Sequence, residues 1–125
     1  MTNQDYTYSE GINDLGQVVG GSYDGETTAV LWDEDGTIQD LDPLVGESSA
    51  NDINNLGQVV GYSRIADDIN RPFLYEGGTR QNLNSLIPAN SGWALESANA
   101  INDLGQIVGT GTIDGQTHAF LATPI

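Results

Sequence analysis

A nonamer is written three times in this chain: INDLGQVVG from Ile12, INNLGQVVG from Ile53 and INDLGQIVG from Ile101. Aligned on Gly16, Gly57 and Gly105, the copies stand 41 and 48 residues apart. Self-similarity at such a period means that one supersecondary unit is built three times, each unit burying its faces on its neighbours. The likeness runs on outside the nonamer. YSEGIN, SANDIN and SANAIN lead into it, and TTAVLWD, NRPFLYE and QTHAFLA follow it. GTIQDLDPL from Gly36 answers GTRQNLNSL from Gly78, and the third copy has no counterpart.

Turn chemistry explains the spelling. In Asn13-Asp14-Leu15-Gly16-Gln17 an Asx residue opens a type I turn and glycine takes the left-handed position, the three-residue hairpin loop with a G1 bulge. Gly57 and Gly105 repeat that corner, and Gly36 closes the same kind of turn one hairpin later. Glu76-Gly77-Gly78 serves there in the second copy. The flanking segments are short and rich in β-branched and aromatic residues, as strands are. No segment holds a helical period long enough to compete.

Each copy therefore reads as four strands, and the chain as eleven. The expected fold class is all-β, a repeat of four-stranded antiparallel units resembling β-propeller blades. A β-solenoid is the alternative. The units divide the single repeat domain at 1–46, 47–92 and 93–125, the last incomplete. Val18-Val19-Gly20 and its counterparts suit a buried strand whose glycine lets another backbone approach closely.

Charge excludes whole classes of partner. Eighteen acidic residues face three arginines and no lysine, for a net charge of −15. Such a surface repels phosphate backbones and anionic lipid, so neither nucleic acid nor membrane insertion is expected. It favours solubility and a salty or extracellular setting. The first residues, Met1 to Asp5, lack the charged-then-apolar build of a secretory signal.

INDLGQVVG, the downstream AVLW and THAFL from Thr117 together resemble the HAF repeat family of probable extracellular repeats. The tripeptide itself reads Thr28-Ala29-Val30 and Arg71-Pro72-Phe73 in the first two copies. The resemblance implies an extracellular or cell-surface repeat module, propeller-like, with no activity to carry over.

Residues that bear chemistry are few. His118 is the one histidine and cysteine is absent, which leaves a poor basis for a metal centre or a catalytic base. No serine sits in a strand–turn–helix elbow, and no carboxylate pair stands out for acid–base work. The expected protein is not an enzyme and needs no cofactor. Asp33, Asp35, Asp40 and Asp42 offer hard oxygen ligands that calcium prefers, although a hairpin turn alone accounts for 33–36. Trp93, beside Asn90, Ser91 and Gly92, is a candidate platform for a sugar ring, with Tyr62 and Tyr75 as further ligand-binding candidates.

The function expected is a non-catalytic extracellular interaction module, acting through its surface or loops on a protein or glycan ligand. A carbohydrate-binding module is the alternative. Three units leave two apolar faces open, so a homodimer closing a six-bladed ring is the expected assembly.

Overall fold

The computed structural model describes residues 6–23, 25–41, 47–64 and 69–125. Among these residues eleven strands form three antiparallel sheets, one per copy of the repeat. Sheet 1 holds β1 (Tyr6–Ile12), β2 (Val18–Tyr23), β3 (Thr27–Trp32) and β4 (Ile38–Asp40) in chain order. Sheet 2 repeats this with β5 (Glu47–Ile53), β6 (Val59–Arg64), β7 (Asn70–Glu76) and β8 (Thr79–Asn82). Sheet 3 has three strands, β9 (Trp93–Ile101), β10 (Ile107–Ile113) and β11 (Gln116–Ala122). Every pairing among the described residues is antiparallel and lies within one copy, so the parallel coil-on-coil pairing of a solenoid is not what forms. Among the described residues the sheets close neither a barrel nor a ring.

The corner turns fold as their chemistry demands. Gly16, Gly57 and Gly105 have φ of +79, +80 and +79°, and Gly36 has +88°. Each corner carries the same two backbone bonds, for example Gly57 N to Asn54 O at 3.1 Å and Asn54 N to Gln58 O at 3.0 Å. Gly77 and Gly78 are both left-handed, at +59 and +84°. They therefore make a two-residue hairpin turn of the primed type rather than a G1 corner. A short 3₁₀ turn over Leu83–Leu86 follows β8, the strand expected through Gln81, at the end of GTRQNLNSL. Asn82 caps it by accepting a hydrogen bond from Asn84 N, and a polar side chain that competes for the backbone in this way ends a strand.

A second set of glycines works by absence of bulk. A Cβ built on Gly20, Gly61 or Gly109 would lie 2.0, 2.1 or 1.9 Å from the carbonyl oxygen of Tyr8, Ser49 or Ser97. In each sheet the first strand carries a register shift beside this point, so a bulge presses its backbone onto the second strand.

Two apolar layers hold the stack. Val19, Ala29, Leu31 and Leu41 of sheet 1 meet Ala50, Ile53, Val59, Phe73 and Tyr75 of sheet 2. Val60, Leu74 and Leu83 from the other side of sheet 2 meet Leu95, Ala98, Ile101, Ile107 and Phe120 of sheet 3. Adjacent valines in one strand thus serve opposite layers, the expected result of period-two alternation in a sheet covered on both faces. Polar bonds pin the layers laterally. Ala29 N donates to the buried Ser48 hydroxyl at 2.8 Å, and Asn84 makes two bonds to the backbone of Leu95, at 2.9 and 2.8 Å.

Candidate functional site

The corner turns of the three sheets are joined into a continuous ladder. Within a corner, Asn54 Oδ1 accepts from Leu56 N and Gln58 N at 3.0 and 2.9 Å. Its Nδ2 donates to Gln58 Oε1 at 2.6 Å and onward to the carbonyl of Asn102, in the next corner, at 2.9 Å. Asn13 does the same one step earlier, reaching Asn54 O at 3.0 Å. All the hydrogen-bonding capacity of a buried amide is used, which offsets the cost of removing it from water.

A parallel rung lies outside it, in water. Asp14 N donates to Asn55 Oδ1 at 2.6 Å, and Asn55 N donates to Asp103 Oδ1 at 2.8 Å. The Asn55 amide nitrogen reaches a carboxylate oxygen on either side, Asp14 at 3.0 Å and Asp103 at 2.8 Å. Hydrogen bonds from the backbone and then the side chain of Asn55 hold the Asp103 carboxyl below its ordinary range.

Between the Asx residue and the glycine of every corner stands a leucine. Leu15, Leu56 and Leu104 are each more than half exposed. The outer rung links positions 14, 55 and 103 from corner to corner, so the leucine that follows each of them recurs along the same edge, and Leu15 shares a shallow recess with Gln17, Asp33, Glu34 and Asp35. Sequence reasoning passed over these leucines. The available signal was an apolar residue recurring at the one turn position whose geometry asks for none.

The residues singled out from the sequence are not gathered in one place. Trp93 is the first residue of β9 rather than part of an exposed loop. It is half-buried, its ring edge-on to Phe120 with centroids 6.4 Å apart. It walls an apolar groove of about 280 Å³ with Ile87, Pro88, Ser91, Leu95 and the edge of β11. Tyr75 lies in the layer between sheets 1 and 2, where its hydroxyl accepts from Gln39 Nε2. Tyr62 is in neither place. Its hydroxyl donates to Glu47 Oε1 at 3.4 Å, and burial, with the Glu47 charge second, pushes the phenol above its ordinary value.

The carboxylates considered for calcium are engaged in the turn. Asp33 accepts from Gln17 Nε2 at 3.0 Å, and Asp35 accepts from Thr37 N at 2.9 Å. Asp40 is an exposed residue of β4, and Asp42 lies outside the described residues. Among the described residues no three His, Cys, Asp or Glu side chains form a group able to hold a metal ion. His118 is exposed on β11, and among the described residues no helix is long and apolar enough to cross a membrane.

Fold and ladder together define a class: an all-β repeat protein whose sheets are stacked and stitched at their corners. The chain belongs to the family described as "Protein of unknown function (DUF3466)", whose model matches residues 2–121. That match corrects the resemblance to the HAF repeat family. The tripeptide behind that likeness falls on β3, β7 and β11, and its last position (Val30, Phe73, Phe120) is buried in every copy, while the Asx and glycine positions of the nonamer are those its corner turn requires. No curated protein and no solved structure matches the chain.

Proposed function

We propose that the protein is a non-catalytic interaction module, a propeller-like scaffold that binds another macromolecule along the corner edge of its sheets. The leucine row carries this reading. A type I turn with a G1 bulge requires its Asx residue and its glycine, whereas Leu15, Leu56 and Leu104 do nothing for the turn and stay in water. An apolar ridge bordered by carboxylates suits apolar side chains flanked by lysine or arginine, that is, a basic amphipathic polypeptide.

Blade-like stacking supports the scaffold half of the reading. Among the first strands β1 lies against β5 and β5 against β9, as successive inner strands of blades do around an axis. An acidic surface without lysine fits an extracellular or cell-surface setting.

Calorimetric titration with a Leu/Lys model peptide tests the reading against the variant L15Q/L56Q/L104Q. Burying a leucine is worth about 1.5–3 kcal/mol, so the triple variant should bind at least tenfold more weakly with its circular dichroism and Tm retained. Equal affinity in the two proteins reduces the effect to bulk charge and refutes the ridge.

A second reading, carbohydrate binding, has the groove beside Trp93 in its favour. Glycan-array signals abolished by Trp93→Ala support it, and an array without signal removes it.

A further inference from the structure

The corner edge carries its charge unequally. The glutamine of each nonamer reaches across to a residue at the end of the third strand of its own sheet. Gln17 Nε2 donates to Asp33 Oδ1 at 3.0 Å, Gln58 Nε2 to Glu76 Oε2 at 2.8 Å and Gln106 Nε2 to Thr123 Oγ1 at 3.4 Å. These contacts bring a second segment beside the corner of every sheet. The residue received there is an acid, an acid and a neutral hydroxyl.

Turn type widens the difference. The β3–β4 connection is the corner Asp33-Glu34-Asp35-Gly36, closed by Gly36 N on Asp33 O at 2.8 Å, and its two middle positions bear carboxylates. The β7–β8 connection is the primed turn Gly77-Gly78, which has no side chain to offer. Packing acts in the same direction. A Cβ built on Gly16 would lie 3.3 Å from Glu34 Cβ, whereas one on Gly57 meets nothing within 4 Å among the described residues. Leu15 therefore shares its recess with Asp33, Glu34 and Asp35, and Asp14 precedes it. The turns beside Leu56 carry Glu76 and the neutral Asn55, and the segments beside Leu104 carry Asp103 and Thr123.

We infer that the leucine ridge has a sense: its partner is a segment whose lysines or arginines are gathered at one end, and that end lies in the sheet 1 recess while the apolar side chains run on over Leu56 and Leu104. Apolar contact is non-directional, so three leucines alone would accept a segment in either sense. Unequal charge along the row removes that freedom, since complementary charges fix register and orientation. The inference rests on the ridge being a binding surface and adds the charge pattern of the partner.

Two leucine- and lysine-containing peptides of identical composition test it, one with every lysine after the last leucine and one with the lysines divided between the two ends. Calorimetric titration at low ionic strength should give the clustered peptide about a fivefold lower dissociation constant, because exposed ion pairs each contribute modestly. The preference should vanish in about 1 M salt, where the screening length is about 3 Å. Glu34→Gln with Asp35→Asn changes two exposed side chains and keeps an oxygen to which Thr37 N can donate, so this variant should fold and bind both peptides equally. A nitroxide at the lysine end of the clustered peptide should broaden the amide signals of Leu15 and Glu34 and spare Leu104. Equal binding by the wild type, a preference that survives the double variant, or broadening at Leu104 instead overturns the polarity. If L15Q/L56Q/L104Q still weakens both peptides in that case, the ridge itself stands. A wild-type protein that binds neither peptide removes ridge and polarity together.

Discussion

Gly61→Ala adds a single methyl group at a position with no left-handed backbone, yet it should be among the most damaging changes available. The new Cβ would lie 2.1 Å from Ser49 O, 2.9 Å from the Ala50 Cα and 2.9 Å from Phe73 Cζ. The oxygen is backbone and the ring is fully buried, so relief requires β5 to lift about 1 Å off β6 or the Phe73 ring to leave its layer. Overpacking of this kind costs about 1–3 kcal/mol where side chains can yield, and backbone against backbone puts the cost at or above the top of that range. For a chain of this length that corresponds to a fall in Tm of about 3–5 °C per kcal/mol, or roughly 10–15 °C. Gly57→Ala is the control. A Cβ there meets nothing within 4 Å, but φ is +80°, so the cost is the left-handed penalty of about 1–2 kcal/mol. Asparagine separates the mechanisms, since it tolerates the left-handed region. Gly57→Asn should regain most of the loss, whereas Gly61→Asn should be worse than Gly61→Ala. Thermal unfolding followed by circular dichroism reads all four variants. A Gly61→Ala protein melting within a degree of wild type, or rescue by asparagine at 61, refutes the close-approach argument.

Asn54→Ala should cost about 2–3 kcal/mol in urea unfolding, because it strands partners in a buried ladder. Asn102→Ala, in the exposed end corner, should cost under about 1 kcal/mol, water replacing the lost bonds; equal losses at the two sites would remove the burial argument. Asp35 and Asp103 both titrate below the ordinary carboxylate value, through bonds from Thr37 and Asn55 respectively. A depressed folded value means that their contribution is full above the unfolded value near 3.8 and is lost as pH falls through the folded values. Asp103→Asn should therefore lower stability slightly at neutral pH, converge with the wild type at low pH, and so flatten the acid limb below pH 4; an unaltered limb contradicts the assignment.

What the sequence disclosed is what local chemistry controls. Asn13 and Gly16 specify their corner without help from the rest of the chain, so the corners, the hairpins and the eleven strands were legible. The facing of the sheets was not. Val59 and Val60 are both fully buried, and a strand apolar on both sides does not say which valine meets which neighbour. The ladder was hidden for the same reason, since Asn54 reaches a residue 48 positions away only once the sheets have stacked. Trp93 misled because Asn90, Ser91 and Gly92 read as a loop, while the tryptophan begins the strand that follows and finds Phe120 across the sheet. The 3₁₀ turn escaped because its cap, Asn82, also reads as a strand residue.

The one letter by which the middle corner differs has a structural reason. A copy reading INDLG would place a carboxylate at 55 between the carboxylates of Asp14 and Asp103, three in a row on a chain already at −15. Asn55 keeps the carbonyl oxygen that Asp14 N requires and exchanges the second oxygen for a donor that both flanking carboxylates accept. The alternation of acid, amide and acid therefore belongs to the stack rather than to any single turn, each of which would fold with either residue.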